Sequence, residues 1–391
     1  MIPVSEALAL LFDLAAPLPV ETVDLKRANG RVLARPVAAQ RDQPPFSASA
    51  MDGYAMRDDE VALGASFTVI GEAAAGHGFD GSVGPGQAVR IFTGAPVPEG
   101  ATRVVIQEDI ERDGDAITIA RDPGTSTHIR PKGADFRDGQ MVDAPKILRP
   151  AHVALLAAMN IAEVPVTRRP KVAILATGDE LVMPGETPGP DQIIASNSFG
   201  LKGMLEDLGA EVRMLPIARD SRASLEMAFS LVDDADLLLT IGGASVGDHD
   251  LVGDVAAELG MDRSFYKIAM RPGKPLMAGR LASGAMMIGL PGNPVSAMVC
   301  GHVFVAPVIR QMLGLGAAAQ VRSSAPLAHD LDANGPREHY MRARLEDGKL
   351  TVFDNQDSAL LTVLADANAL AIRPPADPAR AAGDMVEYLP I

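Results

Sequence analysis

KVAILATGDEL, residues 171–181, is a continuous apolar run that ends in a glycine and two acids. A run without polar alternation reads as a strand buried on both faces, the habit of parallel sheets. The pattern repeats outward along the chain. Apolar residues at 201, 204, 205 and 208 mark a helix, EVRMLP a second strand, and positions 225, 228, 229 and 232 a second helix. DLLLTI (236–241) is a third strand, and MMIGL (286–290) a fourth that feeds PGNPVSAMVCGHVFV, with Pro294 suited to a helix start. Strands alternating with helices from 168 to 312 predict a parallel sheet covered on both faces.

The flanks differ in texture. Residues 4–15 predict a short amphipathic helix, with leucines at 8, 11 and 14, Ser5 as its cap and Pro17 beyond its end. From about 42 to 150, short β-rich runs such as SFTVI, AVRIF and AITIA are separated by Gly and Pro clusters, which predicts a small inserted β domain. After about 315, the runs YMRARL, KLTVF, ALAIR and MVEYLP predict a C-terminal β barrel or sandwich.

Composition narrows the function. Fifty acidic against thirty-five basic residues among 391 give a net charge of −15, which argues against a nucleic-acid surface. The single cysteine, Cys300, leaves no disulfide framework and no cysteine-based metal cluster, in keeping with a reducing cytoplasm. The N-terminal stretch has no basic region and carries Glu6 and Asp13, so no secretory signal is expected. No run of eighteen uninterrupted apolar residues predicts a membrane span. No two histidines stand four apart, and no Gly-x-Ser-x-Gly or P-loop lysine motif occurs, so zinc hydrolase and NTPase readings lose ground.

Ligands of open parallel sheets bind beyond the carboxyl ends of strands. Three strand ends here carry similar chemistry: TGDEL (177–181), GGASVGDHD (242–250) and GLPGNPVSA (289–297). Glycines let backbone N–H groups approach an anion, while Asp179, Glu180, Asp248 and Asp250 suit a hard divalent cation or the activation of a nucleophile. The bland alternative is that Asp179 and Asp248 cap helices. Lys267, Arg271 and Lys274 surround a Pro-Gly turn, a phosphate or oxyanion clamp in an acidic protein. In the β-rich region, QPPFSASAMDGYAMR (43–57) presents Asp52 in a turn, FTGAPVPEG presents Thr93, and RPKGADFRDG presents Arg130, Lys132 and Asp135.

Taken together, PPFSASAMDGYAMR, IFTGAPVPEG, RPKGADFRDG, VAILATGDEL, TIGGASVGDHD, RPGKP and GLPGNPVSA resemble, in order and spacing, the molybdopterin molybdenumtransferase family, which includes the E domain of gephyrin. The resemblance spans the whole chain. It implies insertion of molybdenum from molybdate into adenylylated molybdopterin with release of AMP, assisted by a divalent cation such as Mg2+. The implied fold class is α/β multidomain: a discontinuous N-terminal linker domain (1–45 and 136–167), an inserted β domain (46–135), an α/β molybdopterin-binding domain (168–315) and a C-terminal β barrel (316–391). It further implies a cytoplasmic homodimer whose cleft lies between the α/β domain of one subunit and the N-terminal region of its partner. Hand-over partners would be the molybdopterin adenylyltransferase and molybdoenzyme maturation factors, with no nucleic acid and no membrane.

Carried over motif by motif, the resemblance makes Asp52, Thr93, Glu180 and Asp250 catalytic, with Glu180 and Asp250 also holding the metal. Asp135, Asp220, Gly242, Gly243, Ser245, Lys267, Arg271, Lys274, Pro291 and Pro294 would bind the pterin substrate and its anions. Arg271 departs from the lysine usual at its place, keeping the charge but not a compact ammonium, and His249 replaces a more usual tyrosine or alanine. Two alternatives are the pathway's adenylyltransferase and a non-catalytic scaffold. The former would show Gly-Gly-Thr-Gly where Ala244-Ser245-Val246 follows the glycine pair, and the latter an extra partner-binding segment.

Overall fold

The structure, a computed structural model, describes residues 1–232, 234–243, 251–265 and 267–391. The chain forms two compact units, one of residues Met1–Glu21, Gly30–Ala34 and Val166–Ile391, the other of Thr22–Asn29 and Arg35–Pro165.

Helix α1 (Val4–Leu14) begins after Pro3 with no side-chain cap, so Ser5 lies inside the helix rather than capping it. Its buried stripe of Val4, Ala7, Leu8 and Leu11 joins the core of the α/β sheet.

The main sheet of the second unit has six strands: β1 (Gly53–Met56), β2 (Ser66–Ala73), β3 (Gln87–Ile91), β4 (Arg103–Ile106), β5 (Ile110–Asp113) and β6 (Ala116–Ile119). They lie in the order β4-β1-β3-β2-β6-β5. Only β2 and β3 run parallel. Each face has its own apolar cluster, Tyr54, Met56 and Ile117 on one side and Ala55, Val89 and Val104 on the other, which is the period of two expected of strands buried on both faces. Helix α2 (Pro150–Ala158) follows in the same unit, with Pro150 in its first turn.

The first unit is built on β7 (Lys171–Ala176), α3 (Asn197–Asp207), β8 (Glu211–Met214), α4 (Arg222–Phe229), β9 (Leu237–Ile241), α5 (Leu251–Glu258), β10 (Asp262–Phe265), β11 (Met277–Arg280), β12 (Met286–Leu290) and α6 (Pro294–Met312). Strand order is β8-β7-β9-β12-β11-β10. The first four strands are parallel; β11 and β10 add an antiparallel edge, so the sheet is mixed rather than wholly parallel. Alternate residues face opposite layers. Val172, Ile174, Leu237 and Leu239 meet α1, α3 and α6, whereas Ala173, Leu175 and Leu238 meet α4 and α5. By length and composition alone α6 could cross a membrane, but 78% of its apolar window is buried inside the protein. A π-turn over Gly301–Val305 precedes Pro307. It accommodates a residue that has no N–H and crowds the preceding turn of a regular helix.

The C-terminal strands are β13 (Ser323–Pro326), β14 (Glu338–Glu346), β15 (Lys349–Val352), β16 (Ala369–Arg373) and β17 (Met385–Pro390). A path β14-β16-β17-β13 is flanked by β15 on β14, and by a short parallel pairing of Met270–Arg271 with Glu338 and His339. One bridge, Leu327 to Leu350, links the region after β13 to β15.

Candidate functional site

Strands β7, β9 and β12 end level. Ala176 lies opposite Ile241, which lies opposite Leu290, so the loops that follow emerge at one sheet edge. They surround a cavity of about 1140 Å³, whose lining includes Gly178, Glu180, Asp220, Gly242, Gly243, Pro291, Asn293 and Pro294. Gly242 and Gly243 have φ of 90° and 66°. A Cβ at Gly242 would stand 2.7 Å from the Thr177 carbonyl oxygen, and one at Gly243 2.2 Å from Val252 Cγ2. Both positions therefore require glycine, and the backbone itself faces the cavity.

Two carboxylates predicted from sequence, Glu180 and Asp220, line this cavity. Asp179 does not cap a helix. Its Oδ1 accepts the Asp220 N–H at 3.2 Å, while the Arg219 guanidinium donates to the carbonyls of Asp179 and Leu181 at 3.0 and 3.2 Å, which fixes the loop carrying Asp220. The cap of α4 is Ser221, which accepts from the Ser224 N–H. Ser245, Asp248, His249 and Asp250 lie outside the described residues. Among those described, no group of three His, Cys, Asp or Glu side chains could hold a metal by itself.

Other walls of the cavity went unread in the sequence. Asn197, first residue of α3, donates from Nδ2 to the Gly292 carbonyl at 2.7 Å and so braces the turn between Pro291 and Pro294. Asn293 donates to Ser358 Oγ at 3.1 Å, and the Val295 N–H donates to the Ser358 carbonyl at 3.0 Å. Ala359, next in the chain, lines the cavity. The serines and asparagines of ASNS and GNPVS stand at loop-to-helix junctions, and that placement was the available signal.

Of the three cations of the clamp reading, only Arg271 lines either of the two larger cavities. Arg271 lines a second cavity of about 960 Å³, together with His339, Asp330, Asp332, Arg373 and Arg380. Lys267 and Lys274 line neither cavity, although Pro275, beside Lys274, lines the first. The carbonyls of these two lysines accept N–H groups of Ile2 and Ile268. Burial, then the surrounding charges of Arg271, Arg337, Arg342 and Arg373, push the His339 imidazole down to about 4.

In the second unit, Asp52 Oδ1 accepts both the backbone N–H and the hydroxyl of Thr93, each at 2.7 Å. Those two bonds, the backbone one first, hold the exposed carboxyl below its usual range. Arg90 stacks over Tyr54 and Phe92 at 5.0 and 4.7 Å and adds positive charge near Asp52. Asp135 lines a small separate cavity with Phe136, Lys146 and His152. Lys132 is paired with Asp42 at 3.2 Å. Thus Asp52 and Thr93 form one constellation, Glu180, Asp220, Gly242, Gly243, Pro291 and Pro294 another, while Asp135 and the three cations stand in neither.

Family models match along nearly the whole chain: the MoeA N-terminal region (domain I and II) over residues 2–160, a probable molybdopterin binding domain over 173–311, and the MoeA C-terminal region (domain IV) over 324–391. A molybdopterin molybdenumtransferase of Nostoc sp. is 37% identical, covering 93% of this chain and 88% of that protein. One from Haemophilus influenzae is 39% identical, covering 78% and 76%. The crystal structure of the molybdopterin biosynthesis moeA protein from Pyrococcus horikoshii superposes with a TM-score of 0.85 at 28% identity, over 100% of both chains.

Proposed function

This chain belongs to the MoeA family of molybdopterin molybdenumtransferases, and from that premise we propose that it inserts molybdenum from molybdate into adenylylated molybdopterin with release of AMP. The observation that carries the reading is the convergence of three strand-end loops on one cavity, where glycine backbone and two carboxylates meet. Gly242 and Gly243, with Ser245 after them, bring amide groups to the substrate's phosphates. Pro291 and Pro294 shape the wall for the pterin, and Asp220 binds its polar edge, with Asp135 supplied by a partner copy. Lys267, Arg271 and Lys274 supply positive charge for molybdate and phosphate. Asp52 and Thr93, joined by their paired hydrogen bonds, form a unit whose carboxylate is ionised at neutral pH.

Mg2+ fits this donor set. It binds through one or two carboxylates, retaining water and taking substrate phosphate oxygens rather than a complete protein cage. Glu180 faces the cavity, and with Asp250 it would hold the ion. When bound, Mg2+ supplies neutralisation of phosphoanhydride charge. The family pattern also supports a cytoplasmic homodimer with a C-terminal barrel over 316–391. In that assembly Asp52 and Thr93 act on substrate held by a partner copy, and the adenylyltransferase and molybdoenzyme maturation factors are the neighbours in the pathway.

The test mixes the purified protein with adenylylated molybdopterin, molybdate and Mg2+. AMP and active cofactor should appear in equal amounts, and EDTA should stop both. Absence of AMP from the complete mixture would end the proposal. Asp52→Ala and Asp250→Ala should each abolish turnover without unfolding the chain; full turnover in either variant removes that residue from the site.

A further inference from the structure

The buried stripe of α3 is Ser198, Leu201 and Leu205. A helix packed on a sheet carries apolar side chains along such a stripe, so a serine at its head calls for an explanation. Ser198 is 7% exposed and lines the large cavity. Among the described residues no group pairs with its hydroxyl. The residue is buried but its hydroxyl is not sealed off: it opens on the cavity, where water or a ligand can satisfy it.

The surrounding backbone has the same character. Ser196 precedes α3 without making a side-chain cap, because its hydroxyl donates to Asn197 Oδ1 at 3.3 Å. The N–H groups of Phe199 and Gly200 reach the Ser196 carbonyl at 3.2 and 3.4 Å. The N–H groups of Asn197 and Ser198 have no protein acceptor among the described residues. Asn197 also turns its own side chain away, onto Gly292. The neighbouring helix α6 opens on the same cavity; there Pro294 has no N–H and Val295 gives its N–H to Ser358, which leaves the Ser296 N–H as its one free donor among the described residues. The head of α3 keeps two such N–H groups beside a hydroxyl, at the positive end of its dipole.

We propose that Ser198, with the N–H groups of Asn197 and Ser198, forms a phosphate subsite that holds the phosphate monoester or phosphoanhydride of the pterin substrate. This rests on the family reading of the cavity and adds a binding group to it. The donor set is three hydrogen-bond donors without a cation, which suits a bound tetrahedral anion that the helix dipole also favours.

The test compares wild-type full-length protein with Ser198→Ala and Ser198→Asp by equilibrium binding. Three ligands are used: adenylylated molybdopterin, molybdopterin, and 6-hydroxymethylpterin as a phosphate-free control. Ser198→Ala should weaken both phosphate-bearing ligands about tenfold, the scale of one hydrogen bond to a charged group, and leave the phosphate-free pterin unchanged. Ser198→Asp should weaken them further, and inorganic pyrophosphate should compete with molybdopterin in the wild type but not in this variant. Equal loss for all three ligands would indicate a merely structural serine and overturn the proposal, as would unchanged affinity for the phosphate-bearing pair. The two readings fail separately. If the wild type releases no AMP yet its pyrophosphate binding depends on Ser198, the family chemistry falls and the subsite stands. If AMP release is intact and Ser198→Ala binds as the wild type does, the subsite falls and the chemistry stands.

Discussion

At Gly243 the backbone conformation and the packing make the same demand. Its φ of 66° lies in the left-handed region, and an added Cβ would sit 2.2 Å from Val252 Cγ2 on α5. Gly243→Ala thus carries two penalties, a residue forced into left-handed backbone and a side chain displaced from a packed layer, together about 2 to 4 kcal/mol. Scanning calorimetry should show the melting transition of this unit lowered by several degrees. Adding Val252→Ala should not restore the wild-type value, because relieving the clash leaves the backbone penalty and opens a small cavity. A Gly243→Ala protein that melts with the wild type would mean that the turn is free to relax. Gly242 and Gly243 were legible from sequence because a glycine pair after an apolar strand signals its geometry locally. Ser198 was not, since a serine beside leucines shows its role only once the helix stripe is known to end at a cavity.

Among elements, the parallel strands were the easiest to read, because β7, β9 and β12 are apolar runs buried along their whole length. The antiparallel edge was hidden. Strand β11 is only Met-Ala-Gly-Arg, and the stretch that contains it reads as a basic loop around Pro272 and Gly273. Pairing with β12 makes it a strand, and no local periodicity announces such a contact. The wall that Ser358 contributes was hidden for the same reason, since it lies 65 residues beyond the Asn293 it contacts. Helix α6 also carries a chemical prediction. Cys300 stands just before the π-turn, fully buried, with its Sγ 3.9 Å from the Gly273 carbonyl. Burial pushes the thiol well above its ordinary range, so thiolate is scarce and access is closed. Native protein should give no rapid reaction with Ellman's reagent, and guanidinium should release one thiol per chain. Stoichiometric labelling of the native protein would show that α6 is not packed as described.

At the level of the whole molecule, acid stability should carry the mark of buried imidazoles, His339, pushed down to about 4, and His302, which burial also lowers. His339 on β14 is 7% exposed and faces the cavity that also holds Arg271, Arg373, Arg380, Asp330 and Asp332. Burial is the larger cause of its low proton affinity, and the arginines at 271, 337, 342 and 373 add to it. The carboxylates in that cavity are committed in part elsewhere: Asp330 accepts the Ala382 N–H at 2.8 Å. Because the folded-state value lies below the unfolded one, unfolding binds a proton between them. The stability that follows is fully present above about 6.5 and is lost as pH falls toward about 4. Asp52, whose carboxyl is also held low, acts in a more acidic window, so the two effects separate on a pH axis. Urea midpoints measured from pH 8 to pH 4 should fall through this interval in the wild type. His339→Asn, which cannot take up the proton, should make the decline shallower, leaving the part due to His302, even if its absolute stability is lower. Parallel curves for the two proteins would assign the acid sensitivity to other groups, and the neutral, arginine-ringed imidazole would then have no part in setting the pH range over which the fold holds.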